Sequence, residues 1–180
     1  MELPTLHNVI DDIRGNLKAV HVPSADRNWW IELNTYFEGY PIIDYTDFNY
    51  DKSHLFIIII AHRSPENFNC GSRQQGIALL RRLDGHVYHY LWLRLSVVAP
   101  YYLVGLSRRT LGDDDEIVDT DVLPQNNEQL NLLRNAHAFA RNHSFLSVPR
   151  EYLEQLVPGV ELELAKPGKV TVYNCLFADG

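Results

Sequence analysis

Apolar side chains recur along this chain with two different periods, and the changes of period mark its elements. Leu6, Val9, Ile10, Ile13, Leu17 and Val20 return every three or four positions, with Asp11, Asp12, Arg14 and Lys18 between them. That spacing predicts an amphipathic helix over residues 3–19, broken by Pro23, Ser24 and Asp26. Trp29–Phe37 fits either a short strand through Trp30–Leu33 or a helix begun at Asn28. Leu55–Ala61 shows no alternation, and its four consecutive isoleucines are β-branched and apolar on both faces. A strand of that kind is covered on both sides, hence central. Ser64–Asn67 reads as a loop and residues 73–83 as a helix presenting Ile77, Leu80 and Leu83, with Gly76 working against it.

Period two takes over after the turn signal Asp84-Gly85. Val87, His89, Leu91, Leu93, Leu95 and Val97 fall on one face, and Tyr88, Tyr90, Trp92, Arg94 and Ser96 on the other. This predicts a long antiparallel strand, turned at Ala99-Pro100 and answered by Tyr101–Arg108. The run Val87–Leu106 is also about as long as a membrane span, but Arg94 and Pro100 are costly inside a bilayer, so the strand reading prevails. Leu111–Pro124 reads as a polar loop. Asn126 and Asn127 cap a helix running to about Asn142, striped by Leu130, Leu133, Ala136 and Ala140. Ser147-Val148-Pro149 opens a further helix that ends near Pro158-Gly159. Val160–Leu164 and Val170–Phe177 read as strands about the turn Lys166-Pro167-Gly168. The expected fold is α+β: a single, mainly antiparallel sheet with helices packed on it, in one domain over residues 1–180.

Composition narrows the function more than the fold. Hydrophobic residues at 46% supply a core, and disorder would need fewer of them. The net charge of −7 is uneven. Residues 1–60 hold nine acids against four bases, residues 61–112 two against seven, and residues 113–180 twelve against five. An acidic whole argues against nucleic acid as the partner, since phosphate binding rests on clustered cations. Met1–Asp12 lacks the cationic start and unbroken apolar core of a signal peptide, so the cytoplasm is the expected compartment. Cys70 and Cys175 are compatible with one disulfide and require none.

The densest candidate chemistry lies in Tyr36–Asp51, where aromatic rings alternate with carboxylates and no Lys or Arg intervenes. Tyr40, Tyr45, Phe48 and Tyr50 offer contact area at low entropy cost, while Asp44, Asp47 and Asp51 attract cations. A second acidic run, Asp113, Asp114, Asp115 and Glu116, suits steering of a cationic partner. Against these stands the plainer reading: connecting loops with solvated carboxylates and inward-packed rings. Asp47–Ser53 begins like a calcium loop, but Lys52 replaces the required glycine and Ile58 the closing acid.

The eight histidines show no metal-binding spacing, and neither Gly-x-Ser-x-Gly nor a glycine-rich phosphate loop is present. No cofactor or metal is expected. The arginines of the middle (Arg73, Arg81, Arg82, Arg94, Arg108 and Arg109), with Tyr88, Tyr90 and Trp92 for stacking, suit an RNA groove. The competing expectation is that they pair with the chain's own acids. His62, His89, Glu32, Asp84 and Arg94 form an enzyme only if the fold brings them together.

On its acid-aromatic stretch Tyr36–Asp51 and its acidic loop Asp113–Glu116, the chain resembles in type the immunity proteins of bacterial toxin systems. That resemblance implies a binding protein that neutralises a basic partner protein, a cognate toxin domain, rather than an enzyme. The partner-binding residues it implies are Tyr40, Asp44, Tyr45, Asp47, Phe48, Tyr50, Asp51 and Asp113–Glu116. A hydrolase or nucleotide-processing enzyme with a dispersed active site, and an RNA-binding module built on the arginines, are the alternatives.

Overall fold

Cross-strand pairing of the two longest apolar runs organises the molecule. A computed structural model describes residues 3–17, 29–60 and 73–178. Strand β1 (Ile42–Asp44) pairs with β2 (Ser53–Ile60), β2 with β3 (Val87–Ser96), β3 with β4 (Tyr101–Leu111) and β4 with β5 (Ile117–Val122), every pair antiparallel. A two-residue strand, β6 (Leu146–Ser147), joins β4 in parallel. The α+β class and the single, mainly antiparallel sheet are those expected from the sequence.

Among the described residues, four helices of two turns or more and one short one pack on this sheet: α1 (Leu6–Asn16), α2 (Trp29–Tyr36), α3 (Arg73–Arg82), α4 (Asn127–Asn142) and α5 (Val172–Leu176). Among the described residues no helix is long and apolar enough to cross a membrane. The run Val87–Leu106 is β3, a turn and the start of β4.

One sheet face carries Phe56, Ile58, Leu91, Leu93, Leu95, Tyr102 and Leu106, covered by α2 and α4 through Trp29, Leu33, Leu132, Ala136 and Phe139. Helix α4 starts where Asn126 accepts the Gln129 backbone N–H at 2.9 Å, which satisfies one of its orphan donors. The α2–α4 contact is polar at its rim. Asn135 Nδ2 donates to the Tyr36 carbonyl at 2.8 Å, and His143 Nε2 lies 2.7 Å from Glu32.

Among the described residues, the opposite sheet face is covered at its two ends. Helix α3 lays Leu80 over Ile57, Ile59, Tyr88 and Tyr90 at one end. At the other, α1, α5 and the chain between β6 and α5 bury Tyr101, Leu103, Val148, Val170 and Phe177 together. Both faces of β2 are thus buried, as four consecutive isoleucines require.

The structure departs from the sequence expectations at four elements. Leu111–Pro124 is not all loop: it contains β5, whose Asp119 and Asp121 stand directly opposite Arg109 and Ser107 of β4. Cross-strand ion pairing and hydrogen bonding replace the apolar alternation that would have marked it. The helix expected from Ser147 is only β6 followed by a 3₁₀ turn, Arg150–Tyr152. Residues 160–169 form no strand, and Val172–Leu176 is helical because Thr171 and Asn174 make a reciprocal capping box. Trp29–Phe37, ambiguous in sequence, is helical to Tyr36. Val20, the break at Pro23–Asp26, the loop at Ser64–Asn67, His62 and Cys70 lie outside the described residues. Cys175 is buried in α5.

Candidate functional site

Between the two covered ends of the second sheet face lies a cleft of about 530 Å³. Its floor follows from strand register. Tyr90, Trp92 and Arg94 of β3 point the same way, and their partners on β4 are Ser107, Gly105 and Leu103. On β2, Leu55 and Ile57 stand opposite Arg94 and Trp92. The Trp92 indole lies across Gly105. A Cβ built at Gly105 would come within 2.6 Å of Trp92 Cε2 and 2.8 Å of Arg150 Nη2, so only glycine admits the ring here.

The polar groups of the cleft are bonded to one another in a chain. Trp92 Nε1 donates to Ser107 Oγ at 3.1 Å, and Ser107 Oγ donates to Asp121 Oδ1 at 2.8 Å. Arg150 Nη1 reaches Asp121 Oδ2 at 3.3 Å, and its guanidinium lies 5.7 Å from the Trp92 ring centre. Arg109 makes a two-pronged contact with Asp119, both prongs 2.7 Å, and lies 5.2 Å from the Tyr90 ring centre. That fork raises the Arg109 pKa further. Burial, aided by Asp119, pushes the Tyr90 phenol up to about 12, so it stays protonated in neutral solution.

Arg94 is the least exposed charged residue of the lining, with 17% of its side chain exposed. Its Nη1 donates to Asp51 Oδ1 at 3.0 Å, Ser53 Oγ at 3.2 Å and the Phe177 carbonyl at 3.2 Å. These bonds tie the start of β2 to the C-terminal helix, where Lys52 N–H also donates to the Phe177 carbonyl. The Tyr173 ring packs 5.9 Å from the guanidinium.

The loop between β1 and β2 adjoins this cleft, because Tyr45 is both an exposed loop residue and a cleft wall. Its carboxylates bind the loop's own backbone. Asp44 Oδ1 accepts from Thr46 N–H at 2.9 Å, Asp47 Oδ1 from Asn49 N–H at 3.1 Å, and Asp51 Oδ2 from Asp47 N–H at 3.2 Å. Phe48 packs edge-on against His54, ring centres 5.1 Å apart. Tyr45, Phe48 and Tyr50 remain 38%, 37% and 60% exposed.

The residues singled out from sequence therefore separate into groups. Asp44, Tyr45, Asp47, Phe48 and Tyr50 share the loop. Asp51 belongs to it by sequence but turns inward to Arg94 and is 13% exposed, so an external cation does not meet it. Tyr40 is half-buried beside the α4 face, its hydroxyl donating to Glu128 at 2.7 Å. Asp113, Asp114 and Glu116 are exposed at the β4–β5 turn, while Asp115 holds Arg81 there through two contacts of 2.6 and 2.7 Å. That turn flanks the Val87 end of β3, and the Tyr45–Tyr50 loop flanks the Ser96 end. Roughly 30 Å of strand separates the two ends. The acidic segments thus occupy opposite corners and form no common face.

Arg81, Arg94 and Arg109 pair with Asp115, Asp51 and Asp119 of the same chain, the arrangement expected for self-neutralisation. His89 and Arg94 lie on opposite sheet faces, Glu32 sits on α2, and Asp84 is in the turn before β3, so these four do not converge. Among the described residues no three His, Cys, Asp or Glu side chains group as metal ligands. A groove with Tyr90, Trp92, Arg94 and Arg109 near this strand pair is expected from sequence, and the walls from β2, β5 and residues 150–173 were not anticipated. Its one local signal was Tyr88, Tyr90, Trp92 and Arg94 alternating on a single strand face. No family model, curated protein or solved structure matches the chain.

Proposed function

We propose that the chain is a stoichiometric binding protein that neutralises a basic protein partner, in the manner of a toxin-immunity protein, with the Asp44–Tyr50 loop as its leading contact. The observation that carries this reading is the pairing of exposed rings with an internally bonded backbone. Tyr45, Phe48 and Tyr50 stand out from a loop whose turns are closed by Asp44, Asp47 and Asp51. A loop already held in shape loses little conformational freedom on docking. Its rings supply the buried anchors that dominate protein interfaces. Asp44 and Asp47, both exposed, place carboxylates at the contact. Asp113, Asp114 and Glu116, far from the loop, act through the long-range field that steers a cationic partner.

The experiment is capture of the partner from the source cell, followed by calorimetry and stopped-flow association with the purified pair. Wild type binds with 1:1 stoichiometry. Tyr45→Ala with Tyr50→Ala weakens binding by about 2 kcal/mol or more, roughly thirtyfold. Asp44→Asn with Asp47→Asn keeps the loop's acceptors, slows association and flattens its salt dependence. Variants of both kinds that bind as tightly and as fast as wild type end this reading.

A further inference from the structure

We infer that the cleft binds a small organic monocarboxylate with an apolar or aromatic body, its carboxylate received by Arg94. Unmet donors in the cleft point to this ligand, whatever docks on the loop. Arg94 carries five N–H groups. Nη1 alone serves Asp51, Ser53 and Phe177, and Nε and Nη2 meet no acceptor among the described residues. The side chain is mostly buried and lines the cleft. The Tyr173 hydroxyl, in the same cleft, also has no hydrogen-bond partner among the described residues.

The acceptors on the other wall are committed. Asp119 is held by the Arg109 fork, and Asp121 by Ser107 and Arg150. Glu154, exposed, is the remaining carboxylate of the lining. Nε and Nη2 of Arg94 and the Tyr173 hydroxyl are therefore donors that none of the lining carboxylates meets, and a ligand can bring the acceptor. A planar carboxylate matches the open edge of a guanidinium. One negative charge suits the site better than two, because Asp51, Asp119 and Asp121 are close by and repel a phosphate dianion. A cationic group would face Arg94, Arg109 and Arg150 instead. Leu55, Leu103, Leu153, Trp92 and Tyr45 provide apolar walls, and about 530 Å³ is within the usual range for small-molecule sites.

The probes are phenylacetate, indole-3-acetate and octanoate, titrated into the full chain by calorimetry and by amide-resolved NMR. Phenylacetamide and phenethylamine serve as neutral and cationic counterparts. The carboxylates are expected to bind at millimolar concentration or below and to shift amides of β3 and β4 around Trp92 and Arg94. The amide and the amine bind at least roughly tenfold more weakly. Arg94→Lys removes the fork and lowers carboxylate affinity by a similar factor. Arg94 also anchors the C-terminal helix, so Tyr173→Phe is the companion variant: it leaves the ring, removes the hydroxyl and weakens the acids severalfold. Three outcomes overturn the inference: no cleft shift from any of the three acids at millimolar concentration, amide or amine binding as tight as acid binding, or acid affinity unchanged in both variants.

Discussion

Gly105 shows how one residue sets the shape of the cleft. It faces Trp92 across the β3–β4 pair and leaves the space that the indole occupies. Gly105→Ala places a methyl carbon inside the indole contact distance, so the ring or the strand has to move. Both are held: Trp92 Nε1 is bonded to Ser107, and β4 is paired with β3 at Gly105 and with β5 from Leu106 onward. Overpacking of this kind costs about 1–3 kcal/mol, and urea unfolding should show a loss of that size together with a shifted Trp92 emission. An unchanged midpoint would mean that the indole is free to swing out. Asp51 makes the complementary point. From sequence it belongs with Asp44 and Asp47 as a surface acid. Its real partner, Arg94, lies on a strand that no local pattern connects to it. Pairing across distant segments leaves no periodic trace, so this part of the site was not legible.

The elements that were legible owe their signal to burial. Helix α4 and strands β2 and β3 read correctly because each presents a continuous apolar face to the sheet core. Strand β5 was missed because an edge strand has one neighbour, and this one is tied to β4 by Arg109–Asp119 and Ser107–Asp121. Acidic residues there also discourage further strand addition at the open edge. Helix α5 was missed for another reason. Val172, Cys175 and Leu176 are buried at helical spacing, but β-branched and apolar residues this close together also fit a strand. Capping decides it: Thr171 Oγ1 accepts the Asn174 N–H at 3.3 Å, and Asn174 Oδ1 accepts the Thr171 N–H at 3.0 Å. Thr171→Ala removes half of that box and should destabilise the protein by about 1 kcal/mol. Since α5 supplies Tyr173 and the Phe177 carbonyl follows it, the amides of Asp51–Ser53 should exchange faster with solvent in the same variant. Exchange unchanged at those amides would show that α5 holds its place through packing alone.

At the scale of the whole molecule, Arg81, Arg94 and Arg109 of the basic middle pair with acids of the flanking segments, and three histidines with lowered pKa values add a pH sensitivity. Burial lowers the pKa of His54, His89 and His137. At His89 and His137 a neighbouring cation, Arg108 or Arg141, adds to the effect, while Asp44 partly opposes it at His54. His54 stacks on Phe56, and His137 Nδ1 lies 2.6 Å from the Tyr102 hydroxyl, which donates to it in the neutral tautomer that carries its proton on Nε2. A group whose native pKa lies below its unfolded value binds protons more readily when the chain unfolds. The unfolding free energy should therefore be highest above about pH 6.5, the unfolded histidine value, and should fall as pH drops from there through the lowered native values. Acidification also reduces the net charge of −7 and hence self-repulsion, which acts in the opposite direction. A variant separates the two. His137→Gln keeps an acceptor for Tyr102, cannot ionise, and leaves the other charges in place. Measured by urea unfolding between about pH 7 and pH 5, its stability should decline less steeply than that of wild type. Equal slopes would place the proton uptake elsewhere, and a wild-type stability that rises on acidification would mean that relief of repulsion outweighs the buried rings.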